Sequence, residues 1–188
     1  NSPRGWVALA ADPNGAKKLL EAEVLKGNGP VMMFVGKSFV DWQARAEVPA
    51  ERSIEDVLAD TDVMSTSSAA AAAIDAQIEI LKAATGLTDE EIVRVPFLFE
   101  DAGGAALAYQ PGMVNGLSLD DQNFLPPDPH GPVIDGKDIF KDEMEQLLAP
   151  FGVTVRWIED WALYHRMSGE VHCGTNAARK IPSAKWWE

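Results

Sequence analysis

The stretch from Trp6 to Val35 narrows the choice of folds more than any other. Trp6 to Ala10 is an apolar run that reads as a buried strand. Asp12-Pro13 then supplies a helix N-cap and a proline at the first helical position. Ala16, Leu19, Leu20 and Val24 follow at helical spacing. Gly27-Asn28-Gly29-Pro30 ends the helix, and Val31 to Val35 is a second apolar strand. The order strand, helix, strand is the signature of a mixed α/β fold.

The pattern continues down the chain. Ser53 to Ala59 reads as a short helix. The Ser65–Ala73 stretch, STSSAAAAA, starts like a low-complexity linker, but its second half leads into Ile74, Ile78 and Leu81 at helical steps. Gly86 stops that helix, and Thr88 with Glu91 predicts a capping box for one more turn. Ile92 to Phe99 reads as a strand broken by Pro96. Gln110-Pro111-Gly112 is a turn between two short apolar runs in 105–118. Leu125 to Pro132 is a rigid, proline-rich loop. Phe140, Met144, Leu147 and Leu148 mark the apolar face of another helix, Gly152 ends it, and Val153 to Ile158 is a strand. A last strand is predicted to run into Cys173. Two strand–helix–strand passes are thus present, with no legible internal repeat.

Charge and cysteine content exclude several function classes. A formal charge of −13 argues against a nucleic-acid backbone or an anionic membrane as main partner. It suits a basic substrate. No run approaches the length of a membrane span. A single cysteine excludes an internal disulfide framework and a multi-thiolate metal site.

That cysteine, Cys173, sits in GEVHCGTN, Gly169 to Asn176. The ordinary reading of a lone cysteine is a buried small hydrophobe. The alternative is a nucleophile, which needs a base, a positive neighbour or a helix N-terminus to form its thiolate. Gly169 and Gly174 permit close approach of backbone to a ligand. Three histidines are available, His130, His165 and His172. In an extended strand His172 points away from the thiol. His130 and His165 have no recognisable orienting carboxylate. From spacing alone the two readings stay open.

GEVHCGTN, followed by Arg179-Lys180 and Lys185 to Trp187 (KWW), resembles the carboxyl terminus of the peptidylarginine deiminases. SPRGWVALAADP, IVRVPFLFE, AYQPGMVNGLSL, GPVIDGKDIFKDEMEQLLAPFGVTVRWIEDW and YHRMSGEVHCGTN occur in that family's order and spacing. Residues 37 to 70 carry little of the likeness. The resemblance implies a pentein, or α/β-propeller, of which this chain covers roughly the last two modules. It implies hydrolysis of peptidyl-arginine to peptidyl-citrulline and ammonia, with Cys173 as nucleophile. Tyr164, Arg166 and Gly169 are then candidate substrate-binding residues at the pocket rim. Arg166, Met167 and Ser168 occupy positions that vary in the family.

The same resemblance places the guanidinium-binding carboxylate and a His-x-Asp pair before the counterpart of Asn1. No His-x-Asp occurs in this sequence. Calcium is the implied cofactor, with no ligand expected in this chain. Asp120, Asp121 and Asp128 match no calcium-loop spacing and read as solvated loop residues. Residues 1–188 are therefore expected to be the C-terminal portion of a catalytic domain, partnered by an upstream segment of the same enzyme and inactive alone. Its other partner is an arginine-containing protein or peptide, with no nucleic acid and no membrane. The alternatives are a pentein acting on free arginine or agmatine, and a non-catalytic binding module. Trp186 and Trp187 read as packing residues, and Arg179 as a surface ion-pair partner. The acidic composition and absent initiator methionine point to a secreted, processed enzyme, with a cytoplasmic location the alternative.

Overall fold

The computed structural model describes residues 7–35 and 51–178. It is a mixed α/β structure built from several small sheets rather than one large one. Strand β1 (Ala8–Asp12) and helix α1 (Pro13–Leu25) follow the predicted order. Asp12 caps α1 by accepting the Gly15 N–H at 2.8 Å. Strand β2 (Met32–Phe34) pairs antiparallel with β3 (Glu51–Ser53). Helix α2 spans Ile54–Ala59, and Ser53, read from sequence as its first residue, is instead its N-cap.

Helix α3 spans Thr61–Thr85, so the stretch read as half linker is helical throughout. Two causes are visible. Alanine has the best helix propensity, so a run of it favours helix over linker. Val63, Ser67 and Ala71 also recur at four-residue steps on the buried face. Their small size lets α3 approach the sheet, where the Ser67 hydroxyl accepts the Phe99 N–H at 2.9 Å. Gly86, at φ +71°, takes the left-handed position that ends the helix.

After the Thr88–Glu91 capping box comes β4 (Ile92–Pro96), which lies parallel to β1 from Ala8↔Ile92 to Asp12↔Pro96. The chain ends there as a strand and resumes as β5 (Phe99–Asp101), which forms a hairpin with β6 (Ala106–Ala108). Strands β7 (Leu117–Asp120), β8 (Asn123–Leu125) and the two-residue hairpin pair β9 (Val133–Ile134) and β10 (Lys137–Asp138) follow. Helix α4 (Ile139–Leu148) buries Phe140, Met144 and Leu148, three of the four residues predicted for its apolar face. Strand β11 is only Thr154–Val155 and joins β8 in parallel, giving the order β11-β8-β7.

One core unites these pieces. Leu20 of α1, Met33 of β2, Ile54 and Val57 of α2, Val95 of β4, and Phe140 and Met144 of α4 all belong to it. Arg52 adds a polar tie, with its guanidinium bonded to Asp60 at 2.5 Å and to the Tyr109 hydroxyl at 3.1 Å. Burial pushes the Tyr109 phenol up to about 12, so it stays neutral.

Phe140 has no exposed surface. Phe140→Ala is expected to cost about 3–5 kcal/mol, the range for truncating a fully buried aromatic. Urea denaturation reads this as a lower midpoint at unchanged slope. A cost below about 1 kcal/mol would contradict the packing described.

Candidate functional site

No strand runs into Cys173. Val171–Gly174 is a turn of 3-10 helix, preceded by another at His165–Met167. Local bonds displace the expected strand. The Gly169 N–H bonds the Tyr164 carbonyl at 2.9 Å, and the Thr175 N–H bonds the His172 carbonyl at 3.1 Å. Ser168 sits between the two turns at φ +62°, a left-handed position uncommon outside glycine. The segment from Asp160 to Thr175 thus folds back on itself. Strand alternation cannot decide where His172 points.

The Cys173 thiol is exposed, which removes the reading of it as a buried hydrophobe. Its turn is docked on the segment between β6 and β7. The His172 N–H donates to the Asn115 carbonyl at 3.0 Å. The Asn115 side-chain amide approaches the Cys173 sulfur at 3.9 Å. Among the described residues no histidine is hydrogen-bonded to that sulfur.

The predicted rim residues fall on the same segment with different roles. Tyr164 is partly exposed, and its ring lies over Gly174, where an added Cβ would come within 2.5 Å of the ring. Gly174 is therefore the glycine that close approach demands. A Cβ on Gly169 would sit 3.7 Å from that of Cys173 and 3.6 Å from the Tyr164 carbonyl, ordinary contact distances. Arg166 is exposed on the first turn. Arg179, Lys180, Trp186 and Trp187 lie outside the described residues.

Beneath the turn is a buried polar group that the spacing did not reveal. His165 does have an orienting carboxylate: its Nδ1–H donates to Glu170 Oε1 at 3.0 Å, both residues buried. The same oxygen accepts the Gly112 N–H at 3.1 Å. The backbone of Asp160 takes the Tyr164 and His165 N–H groups at 2.9 and 3.2 Å. Its buried carboxyl is pushed up to about 8, first by burial and then by the neighbouring Glu170, with Glu159 adding to the effect. His130 too has a carboxylate nearby, Glu159 at 2.9 Å, although the pair is not aligned as a hydrogen bond. Trp161 contacts both histidine rings, tilted against His165 at 5.0 Å and edge-on to His130 at 5.8 Å. Glu170 lies inside GEVHCGTN, and its partner Gly112 is 58 positions away. No local signal pairs them.

A cavity of about 390 Å³ opens beside this group. Phe97, Phe99 and Val114 supply apolar walls, and Asn115, His165 and Glu170 supply polar ones. Among the described residues no three His, Cys, Asp or Glu side chains group so as to hold a metal ion. Asp120 instead binds Asn123 and the Gln122 N–H, and Asp128 binds Lys141. No residue here is assigned to calcium. No helix among the described residues is long and apolar enough to cross a membrane.

The family model described as protein-arginine deiminase (PAD) matches residues 1–188, so the chain belongs to that family. It is 35% identical to mouse protein-arginine deiminase type-1 over 184 residues, which is 98% of this chain and 26% of that relative. Identity to human protein-arginine deiminase type-3 is 34% over 98% of the chain and 27% of the relative. For human protein-arginine deiminase type-4 it is 33%, over 98% and 26%. The chain thus spans about a quarter of the length of the curated relatives it matches.

An exposed thiol reacts without unfolding. Incubation of the folded protein with a maleimide is expected to label Cys173 stoichiometrically in the absence of denaturant, read by peptide mass spectrometry. Labelling that appears only after unfolding would contradict the exposure described.

Proposed function

We propose that this chain is the nucleophile-bearing, C-terminal part of a pentein protein-arginine deiminase, covering roughly the last two modules. The observation that carries the reading is the exposed Cys173 on a docked turn, in a chain matched to the family along its whole length. A guanidinium is planar, cationic and resonance-stabilised, so it resists attack by neutral nucleophiles. The Cys173 thiolate adds to its central carbon. One guanidinium nitrogen leaves as ammonia after protonation, giving a covalent thiouronium. Water then displaces the sulfur, releasing peptidyl-citrulline and restoring the thiol.

The acid/base and the carboxylates that grip the guanidinium are proposed to come from an upstream segment of the same enzyme. Calcium dependence belongs to the same reading, with ligands outside the described residues. Tyr164 and Arg166 are proposed as rim contacts to an arginine-containing protein or peptide, with Gly169, adjoining the thiol, as a third. The net charge of −13 suits a cationic target.

The test is citrulline formation from a blocked arginine peptide by the full-length protein with calcium. Cys173→Ser is expected to remove turnover while leaving the unfolding midpoint unchanged. Citrulline formation by the variant would overturn the nucleophile assignment. Turnover of free arginine in preference to the peptide would overturn the substrate class. The 188-residue chain by itself is expected to make no citrulline, and turnover by it would show that the missing groups lie within it.

A further inference from the structure

The group formed by Asp160, His165 and Glu170 takes no part in the chemistry proposed above. All three residues are buried, at 2%, 6% and 5% exposure. One carboxylate oxygen is fully engaged: Glu170 Oε1 accepts from both Gly112 and His165. The other three oxygens, Asp160 Oδ1 and Oδ2 and Glu170 Oε2, are buried and make no well-aligned hydrogen bond among the described residues; the Val171 N–H faces the Asp160 carboxyl and offsets only part of its burial. Neither carboxyl has a lysine or arginine partner among them. Two ionised carboxylates in contact, with three poorly bonded oxygens, are not a stable buried arrangement. A single proton resolves it. A neutral Asp160 carboxyl donates its O–H to Glu170, and the pair then holds one negative charge, facing the Gly112 and His165 N–H groups.

We propose that Asp160 and Glu170 share one proton, and that this carboxyl pair, bonded to His165 and Gly112, positions the Cys173 turn against the 112–115 segment for reaction. These are positioning residues, since none of them bonds the thiol. Cys173 is three residues beyond Glu170, and the adjoining link is His172 N–H to the Asn115 carbonyl. What the turn is positioned for rests on the deiminase reading; the shared proton does not.

The arrangement makes the docking dependent on pH. The titratable groups around the pair are Glu159, which adds repulsion and is itself beside His130; Glu100, which lines the same cavity; His165; and His172 and Cys173 on the turn. The 112–115 segment contributes no charged side chain. Asp160, raised to about 8 in the folded protein, titrates near 3.9 when unfolded. An acid raised on folding stabilises fully below its unfolded value, and that contribution is lost as pH rises through the folded value. Above about 8 the pair carries two charges and the turn lets go.

Hydrogen exchange of the full-length protein tests this, read on peptides spanning Gly112 and His172 and corrected for intrinsic exchange. From about pH 6 to about pH 8, wild-type protection of these amides is expected to fall about tenfold or more, and to level off above about 8. In Asp160→Asn the amide donates to Glu170 at any pH, so the step should vanish while protection persists. A flat wild-type profile, or an equal step in Asp160→Asn, would overturn the proposal. Infrared spectroscopy of the wild type covers the case in which the variant does not fold. A protonated-carboxyl band lost as pH rises through about 8 supports the shared proton, and its absence at neutral pH overturns it. Neither readout needs turnover. A pH step without citrulline formation sinks the deiminase reading alone, and citrulline formation without the step sinks this one alone.

Discussion

A single carboxylate oxygen holds the candidate site together. Glu170 Oε1 joins the His165 ring to the Gly112 backbone, and so joins the cysteine-bearing segment to the body of the fold. The bond is buried, which makes it one-sided in energy. Deleting the acceptor leaves a buried N–H with no partner, a loss of about 1–3 kcal/mol. A hydrogen bond of the same geometry at the surface would be replaced by water at little cost.

What Glu170 grips is itself fixed. Gly112 packs so closely on the Phe97 ring that an added Cβ would lie 2.6 Å from it. Gln110 accepts the Leu98 N–H, and the Tyr109 N–H returns to the Leu98 carbonyl. Met113 enters the core with no exposed surface. The thiol is therefore carried on a loop, but the loop rests on the strand pair β1–β4 and the core beneath it. An exposed group on an irregular segment braced by regular structure is a common way to combine exposure with placement. The tilted ring contact of Trp161 with His165, and the edge contact of Trp161 with Phe34, brace the segment from the β2 side.

Legibility in the sequence followed the range of the determining interactions. Helices α1 and α4 were readable because a cap or apolar face lies within a few residues: Asp12-Pro13 for α1, and Phe140 with Met144 for α4. The extent of α3 was under-read because its first half packs through Ser67 and Ala71, small residues that carry no hydrophobic signal. The strand expected at Cys173 failed for the opposite reason. Val171, His172 and Cys173 alternate like a strand, but the segment bonds to itself and to Asn115 instead of to a neighbouring strand. Cys173 was singled out by its glycine-flanked motif. The Asp160–Glu170 pair and its contact with Gly112 were not: the pair is closed by irregular turns that carry no legible signature, and the contact joins residues 58 positions apart.

The central claim is that Cys173 forms a covalent bond to the substrate guanidinium carbon. Acid quenching within a single turnover, followed by peptide mass spectrometry of the full-length protein mixed with an arginine peptide and calcium, measures this directly. The account requires an adduct on the Cys173 peptide whose mass is that of the substrate less ammonia, rising and then decaying as citrulline appears. Citrulline that accumulates while Cys173 stays unmodified, under conditions shown to preserve thiouronium adducts, would contradict it.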